Sequence, residues 1–207
     1  MNEYKIIHSY GGERLIDKKE QLLTAGRQLF SEKGFKDTNV SEITKLAGMA
    51  TGTFYNYYPS KDQLFMAIYN EENIKLKRKI MNEVDLDEQP HQLIGQIMAL
   101  NTAGMKTNPI LKEWYNKEVF QRIEKVFREE KGVDQVEFSY SFFPELIKKW
   151  QDEGKMRDDI SPDMVMAIFG AIVNIDTHKE EIGIEYFPQL MEYLMAFVMK
   201  GLGMDIQ

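Results

Sequence analysis

The chain has 207 residues, 43% hydrophobic and 29% charged, enough to bury a proper core in one large or two modest domains. Zero cysteines exclude disulfide and thiolate chemistry, and the lack of any apolar run of about 18 residues excludes a membrane-spanning helix. A net charge of −7 argues against nucleic acid until its distribution is read: residues 14–79 hold 12 basic against 8 acidic residues, while the remainder holds 14 against 25. One basic segment on an acidic body is the asymmetry of a protein that meets phosphate at one end, although a solvated surface also produces it.

Residues 1–13 read as a flexible tail ending in Gly11-Gly12, without the apolar core of a secretory signal, which points to the cytoplasm. A helix follows from about Asp17 to Lys33, with Leu22, Leu23, Ala25, Leu29 and Phe30 inward and Gly34 as its stop. Val40, Ile43, Leu46 and Ala47 share one face of a short second helix that Gly48 ends. Met49 and Ala50 make a turn, and a third helix of about two turns runs from Thr51 until Pro59 stops it. Ser60 caps a long fourth helix reaching about Glu83, carrying Leu64, Phe65, Ile68, Tyr69, Ile74, Leu76 and Ile80. Its run Lys75-Leu76-Lys77-Arg78-Lys79 reads either as a solvated outer face or as a second phosphate patch.

Pro90 opens a helix ending by Asn108, and Asn108-Pro109 opens the next, continuous to Gly132. Another spans about Val136 to Glu153, which Pro144 kinks or divides. Ser161-Pro162-Asp163 supplies a cap, an N1 proline and a first-turn acid for a helix apolar nearly all round through Val173. The last helix runs from Tyr186 or Pro188 to Leu202. No stretch sustains strand alternation, so the fold is all-α.

Two short helices joined by a glycine-containing turn form a helix-turn-helix, whose second helix enters a major groove. The outward residues there are hydroxyls and an amide: Thr51, Thr53, Tyr55, Asn56 and Tyr57, with Ser41 on the preceding helix. Such groups bond phosphate oxygens and base edges without burying a charge. Gly52 lets the backbone come close. Lys61, a cation in a first helical turn, opposes the macrodipole, and a phosphate there would relieve it.

Ala25-Gly26-Arg27-Gln28-Leu29-Phe30 with Gly34-Phe35, then Ala47-Gly48-Met49, Gly52-Thr53-Phe54-Tyr55 and Tyr58-Pro59-Ser60-Lys61-Asp62-Gln63-Leu64, resemble the DNA-binding domain of the TetR family of bacterial transcriptional regulators in order and spacing. Three positions depart from the family pattern. Gly26 replaces the second of two alanines, Thr44 follows Ile43 where the family has alanine, and Ala50 stands where a serine caps the third helix. Capping there passes to Thr51 or to a bound phosphate.

The resemblance implies a helix-turn-helix DNA-binding domain over 14–61, a connecting helix over 62–83, and a helical effector-binding and dimerisation domain over 84–207. It implies a repressor that binds a palindromic operator in double-stranded DNA as a homodimer and is released by a small apolar or amphipathic effector. An effector-activated DNA binder is the alternative, and a helical protein-interaction module a more distant one. The last two helices, rich in Met, Ala and Gly, make either the dimer bundle or an internal core. The middle helices hold nine Trp, Tyr and Phe residues between Trp114 and Trp150, which line a pocket or fill a core. Met98, Met105, Trp114, Phe120, Phe142 and Trp150, with polar Asn174 and His178, are the effector candidates. No reactive groups converge as in an enzyme, and neither a cofactor nor a metal is implied. His178 with Asp176, Glu180 and Glu181 reads as a solvated loop rather than a metal site, because these spacings converge poorly on a helix.

Overall fold

The computed structural model describes residues 18–129 and 142–203. The tail, the segment around Gly132 and the first part of the helix expected from Val136 lie outside them. All regular structure among the described residues is helical. In chain order it comprises α1 (Lys18–Lys33), α2 (Val40–Leu46), α3 (Thr51–Phe54), α4 (Lys61–Glu83), α5 (Pro90–Thr107), a 3₁₀ segment (Leu111–Tyr115), α6 (Lys117–Glu129), α7 (Phe143–Asp152), α8 (Pro162–Thr177), α9 (Lys179–Ile182), a second 3₁₀ segment (Ile184–Tyr186) and α10 (Gln189–Leu202).

Capping residues fix several of these boundaries. The Asn39 side chain accepts from the Glu42 N–H at 3.0 Å while Glu42 accepts from the Asn39 N–H, a reciprocal box that starts α2. Ser60 and Ser161 cap α4 and α8 in the same sense, accepting from the Gln63 and Met164 N–H groups. Pro144 sits in the first turn of α7, where its missing N–H costs nothing, so it begins that helix.

Two expectations need correction. The third helix is a single turn, after which Asn56 and Tyr57 continue only as turns bonded to Thr53 and Phe54. The helix expected from Pro109 to Gly132 is broken at Asn116, whose backbone is extended. The Asn116 carbonyl takes the first N–H bonds of α6 from Val119 and Phe120, and its amide donates to Glu113 Oε2 at 3.0 Å. Asn108 instead caps the 3₁₀ segment, accepting from the Ile110 and Leu111 N–H groups.

One core does not stop at residue 61. Phe30, Phe35, Ile43, Phe54 and Phe65 are contiguous with Trp114, Phe120 and Ile123, so α6 and the 3₁₀ segment Leu111–Tyr115 pack directly on the helix-turn-helix half. A second core joins Ile80, Leu93, Ile97, Trp150, Met156, Val165 and Leu202, and Leu76 of α4 packs against both. At 23 residues α4 is about 35 Å long and spans the two. Gly26 is explained by this packing: a Cβ there would lie 3.0 Å from both Leu64 and Ile68 of α4.

Candidate nucleic-acid interface

The outward surface of α3 follows from what its neighbours bury. Phe54 is fully buried and Tyr58 nearly so, which pins α3 and the turn after it to the core through two rings 6.1 Å apart. The intervening residues then have no choice but to face outward. Tyr55 is 57% exposed and Tyr57 37%, and Thr51, Gly52 and Asn56 are exposed beside them. Thr53 is half-buried, while Ser41 on α2 is exposed. The resulting surface is polar and uncharged, built of hydroxyl, phenol and amide groups that both donate and accept.

Thr44 accounts for another departure from the resembled pattern. Its buried hydroxyl bonds the Val40 and Ser41 carbonyls and lies 3.3 Å from the Thr51 hydroxyl. An alanine could not link α2 to the first residue of α3 in this way. Ala50, as expected, offers α3 no side-chain cap.

Lys61 behaves differently from the phosphate ligand expected of it. Its ammonium points into the domain, donating to the Phe35 carbonyl at 2.6 Å and the Thr38 carbonyl at 2.7 Å, and lies 4.2 Å from the centre of the Phe35 ring. The two carbonyls hold the turn between α1 and α2. Burial and the nearby Arg122 guanidinium lower the Lys61 pKa. The same turn is held from the body: Glu113 Oε1 accepts from the Phe35 N–H at 3.4 Å, Glu118 pairs with Lys36, and Arg122 pairs with Asp62 while lying 5.1 Å from the Phe35 ring. Neither Glu113 nor Arg122 stands out in the sequence, because each reads as one charge on a helix surface. Asn39 was missed too, although a signal for it exists: Asn followed three residues later by Glu before an apolar run is a helix-start signature.

In the basic run of α4, Lys75 pairs with Glu72, Lys77 donates to Asn101, and Lys79 lies 3.7 Å from Glu83. These contacts favour the solvated-face reading of that run.

The eight effector candidates do not gather into one pocket, although the Trp114 and Phe120 rings meet with their centres 4.9 Å apart. Trp114, Phe120 and Met105 are buried in the first core, and Trp150 and Phe142 belong to the second. Asn174 and His178 are exposed, and Met98 lines a groove of about 750 Å³ between α5 and α10 together with Ile94, Met156, Met195, Met199 and Leu202. Among the described residues no group of His, Cys, Asp and Glu could hold a metal ion, and no helix is long and apolar enough to cross a membrane.

A residue the sequence reading passed over occupies the junction of α8, α9 and α6. Lys179 is completely buried, its ammonium 4.1 Å from the Trp114 ring centre, 4.3 Å from Phe120, 5.3 Å from Tyr115 and 5.8 Å from Phe187. It donates to the Asp176 carbonyl at 2.9 Å and lies 3.2 Å from Asp176 Oδ1, while Asp176 Oδ2 accepts from the Trp114 indole. Burial pulls the Lys179 pKa down to about 8 against the attraction of Asp176 and Glu124.

Exposed apolar residues concentrate on α8, α10 and the stretch between them. Met164, Val173, Tyr193 and Phe197 are 55%, 39%, 54% and 68% exposed, and Ala167, Gly170, Ala171 and Ala196 lie exposed on the same helices.

Residues 22–68 match the model of bacterial regulatory proteins of the tetR family. Over 51 residues the chain is 47% identical to the uncharacterised HTH-type transcriptional regulator YvdT of Bacillus subtilis strain 168, covering 25% of this chain and 26% of that one. The alignments with the first curated relatives span between 23% and 53% of their length. The fold as a whole is similar to that of SmeT, the repressor of the Stenotrophomonas maltophilia multidrug efflux pump SmeDEF, with a TM-score of 0.60 at 15% identity, over 91% of each chain. It is similar also to RolR in complex with resorcinol, with a TM-score of 0.61 at 16% identity, over 91% of this chain and 88% of that one.

Proposed function

From the premise that residues 22–68 are a TetR-family DNA-binding domain, we propose that the chain is a transcriptional regulator that binds a palindromic operator as a homodimer and is released by a small-molecule effector. The observation that carries the reading is the polar, uncharged surface of Thr51, Gly52, Tyr55, Asn56 and Tyr57, turned outward by the burial of Phe54 and Tyr58. Hydroxyl and amide groups in that position contact base edges and phosphates in a major groove. The DNA-binding residues are these five with Thr53 and Ser41, and Lys61 contributes by holding the α1–α2 turn rather than by touching phosphate.

A single-turn recognition helix meets few base pairs, so a symmetric dimer reading two half-sites supplies the missing affinity and specificity. The apolar faces of α8 and α10 are the surface for that dimer. The groove between α5 and α10, lined by four methionines, has the size and chemistry for an apolar or amphipathic effector. Such an effector acts by preferring one spacing of the two recognition helices and shifting the population toward it. When that spacing departs from the roughly 34 Å between half-sites, DNA is released. The family resemblance makes repression the favoured sign, and the effector-activated alternative reverses only the last step.

The test is a titration of the purified chain against the DNA upstream of its own gene at two salt concentrations, with Tyr55→Ala alongside. Saturable binding to one short palindrome, weaker in high salt and in the variant, is the expected result. No binding to any duplex at low salt would refute the proposal.

A further inference from the structure

Lys179 sits in an arrangement that chemistry uses to hold cations. Trp114, Tyr115, Phe120 and Phe187 surround its ammonium within 5.8 Å, and Asp176 supplies the counter-charge. Ring faces attract a cation through their quadrupoles, most strongly when water is excluded, as it is here. Yet a primary ammonium is a poor occupant. It carries three N–H donors, and the box offers it one good acceptor, the Asp176 carbonyl at 2.9 Å. Asp176 Oδ1 is buried, 3.2 Å away, without a hydrogen bond from any described residue. The ammonium also loses strong hydration that the rings do not replace.

We propose that this box is a binding site for a quaternary ammonium group, with Lys179 as a built-in competitor that a ligand displaces. A quaternary ammonium has no N–H to satisfy, spreads its charge over methyl groups that fit against ring faces, and gives up less hydration. Displacement requires Lys179 to swing out of the box. It lies on α9, which has a single turn, its stem is flexible, and its neighbours His178 and Glu180 are already exposed. The trimethylammonium group then takes the place of the ammonium among the four rings. The site lies apart from the α5–α10 groove and shares no residue with it.

The probe is tetramethylammonium chloride, titrated into the full chain with sodium chloride at equal ionic strength as control. The chain has two tryptophans, so the indole N–H of Trp114 is one of two readily assigned signals in a nitrogen–proton correlation spectrum. The expected result is a saturable shift of that signal in the wild type, roughly tenfold tighter binding in Lys179→Ala, and loss of binding in Asp176→Asn. Acylation of lysines read by mass spectrometry gives a second measurement that needs no variant. Lys179, protected in the free protein, should become labelled at least several-fold faster with the probe present. A Trp114 signal that stays fixed in both wild type and Lys179→Ala, or moves while Lys179 remains protected, overturns the proposal. Neither readout involves DNA, so failure here and failure of the regulator reading are separately visible.

Discussion

Lys61 is held by Phe35 twice over, by a hydrogen bond from its ammonium to the Phe35 carbonyl at 2.6 Å and by the Phe35 ring 4.2 Å beneath that same ammonium. Together with the Thr38 carbonyl this makes the first residue of α4 the clasp of the α1–α2 turn. Lys61→Ala should therefore lower unfolding free energy by about 2 kcal/mol, the scale of charge-assisted hydrogen bonds partly open to water. Urea denaturation measures it, and an unchanged midpoint would show that the clasp is ornamental.

Tyr55→Ala should do the opposite. The ring is 57% exposed and touches only the edge of Phe54, so stability should stay within about 0.5 kcal/mol of the wild type. Operator affinity should fall by about 5- to 150-fold, the worth of one good base contact. Fluorescence anisotropy with labelled operator reads the second effect and thermal unfolding the first. Loss of both together would mean that Tyr55 supports the fold rather than the contact.

Gly34 combines a φ of +81° with close approach, a Cβ there lying 3.0 Å from Glu113 Oε1. Gly34→Ala should cost about 1 to 2 kcal/mol from the left-handed backbone alone. Because Glu113 would be pushed off the Phe35 N–H, the combination with Glu113→Gln should be less than additive. A double-mutant cycle by chemical denaturation tests this, and simple additivity would refute the coupling.

Phe197→Asp places a charge on the most exposed large apolar residue of α10. A dimer through α8 and α10 should then dissociate at micromolar concentration in sedimentation velocity, and operator affinity should drop on the order of 100-fold as the second half-site is lost. A variant still dimeric would place the interface elsewhere.

Lys179 gives the stability a specific pH profile. Its pKa is about 8 in the folded chain and 10.5 ordinarily, so between these values the unfolded chain binds a proton that the folded one does not. Stability should rise with pH across that window. The groups facing it work in both directions: Asp176 and Glu124 hold the proton on, while Tyr69 and Tyr115 are themselves held well above their usual 10.0 by burial. Above about pH 10 the unfolded tyrosines lose protons that the folded ones keep, and stability should fall again. Melting temperatures from pH 7 to 11 should peak between, and Lys179→Met should lose most of the rise, the remainder belonging to Lys61, whose pKa burial also lowers. A rise undiminished in the variant would assign it to another group.

The helix-turn-helix was legible because local signals agree there: Gly48 ends α2, Pro59 ends the turn after α3, and apolar spacing marks the inward faces, except at Leu46, which was expected inward and is 48% exposed. The boundary that failed turned on a local signal hidden inside a longer apolar pattern: Asn116, a residue type favoured at helix starts, takes the first N–H bonds of α6 on its carbonyl and donates its amide to Glu113, three residues back. The effector candidates are mostly bulky residues of the middle helices, and bulk does not distinguish a lining from a filling: Trp150 and Met105 lie in the buried cores. Lys179 was invisible for a related reason, since a lysine beside two glutamates reads as surface and only tertiary packing puts four rings around it.

Glu113 and Trp114 are consecutive buried residues on one short 3₁₀ segment. The first grips the turn that carries the DNA-reading helices, and the second forms a wall of the cation box. The box and the DNA-reading turn thus rest on adjacent residues of one segment, so a ligand that moved the indole would act beside the carboxylate that accepts from the Phe35 N–H.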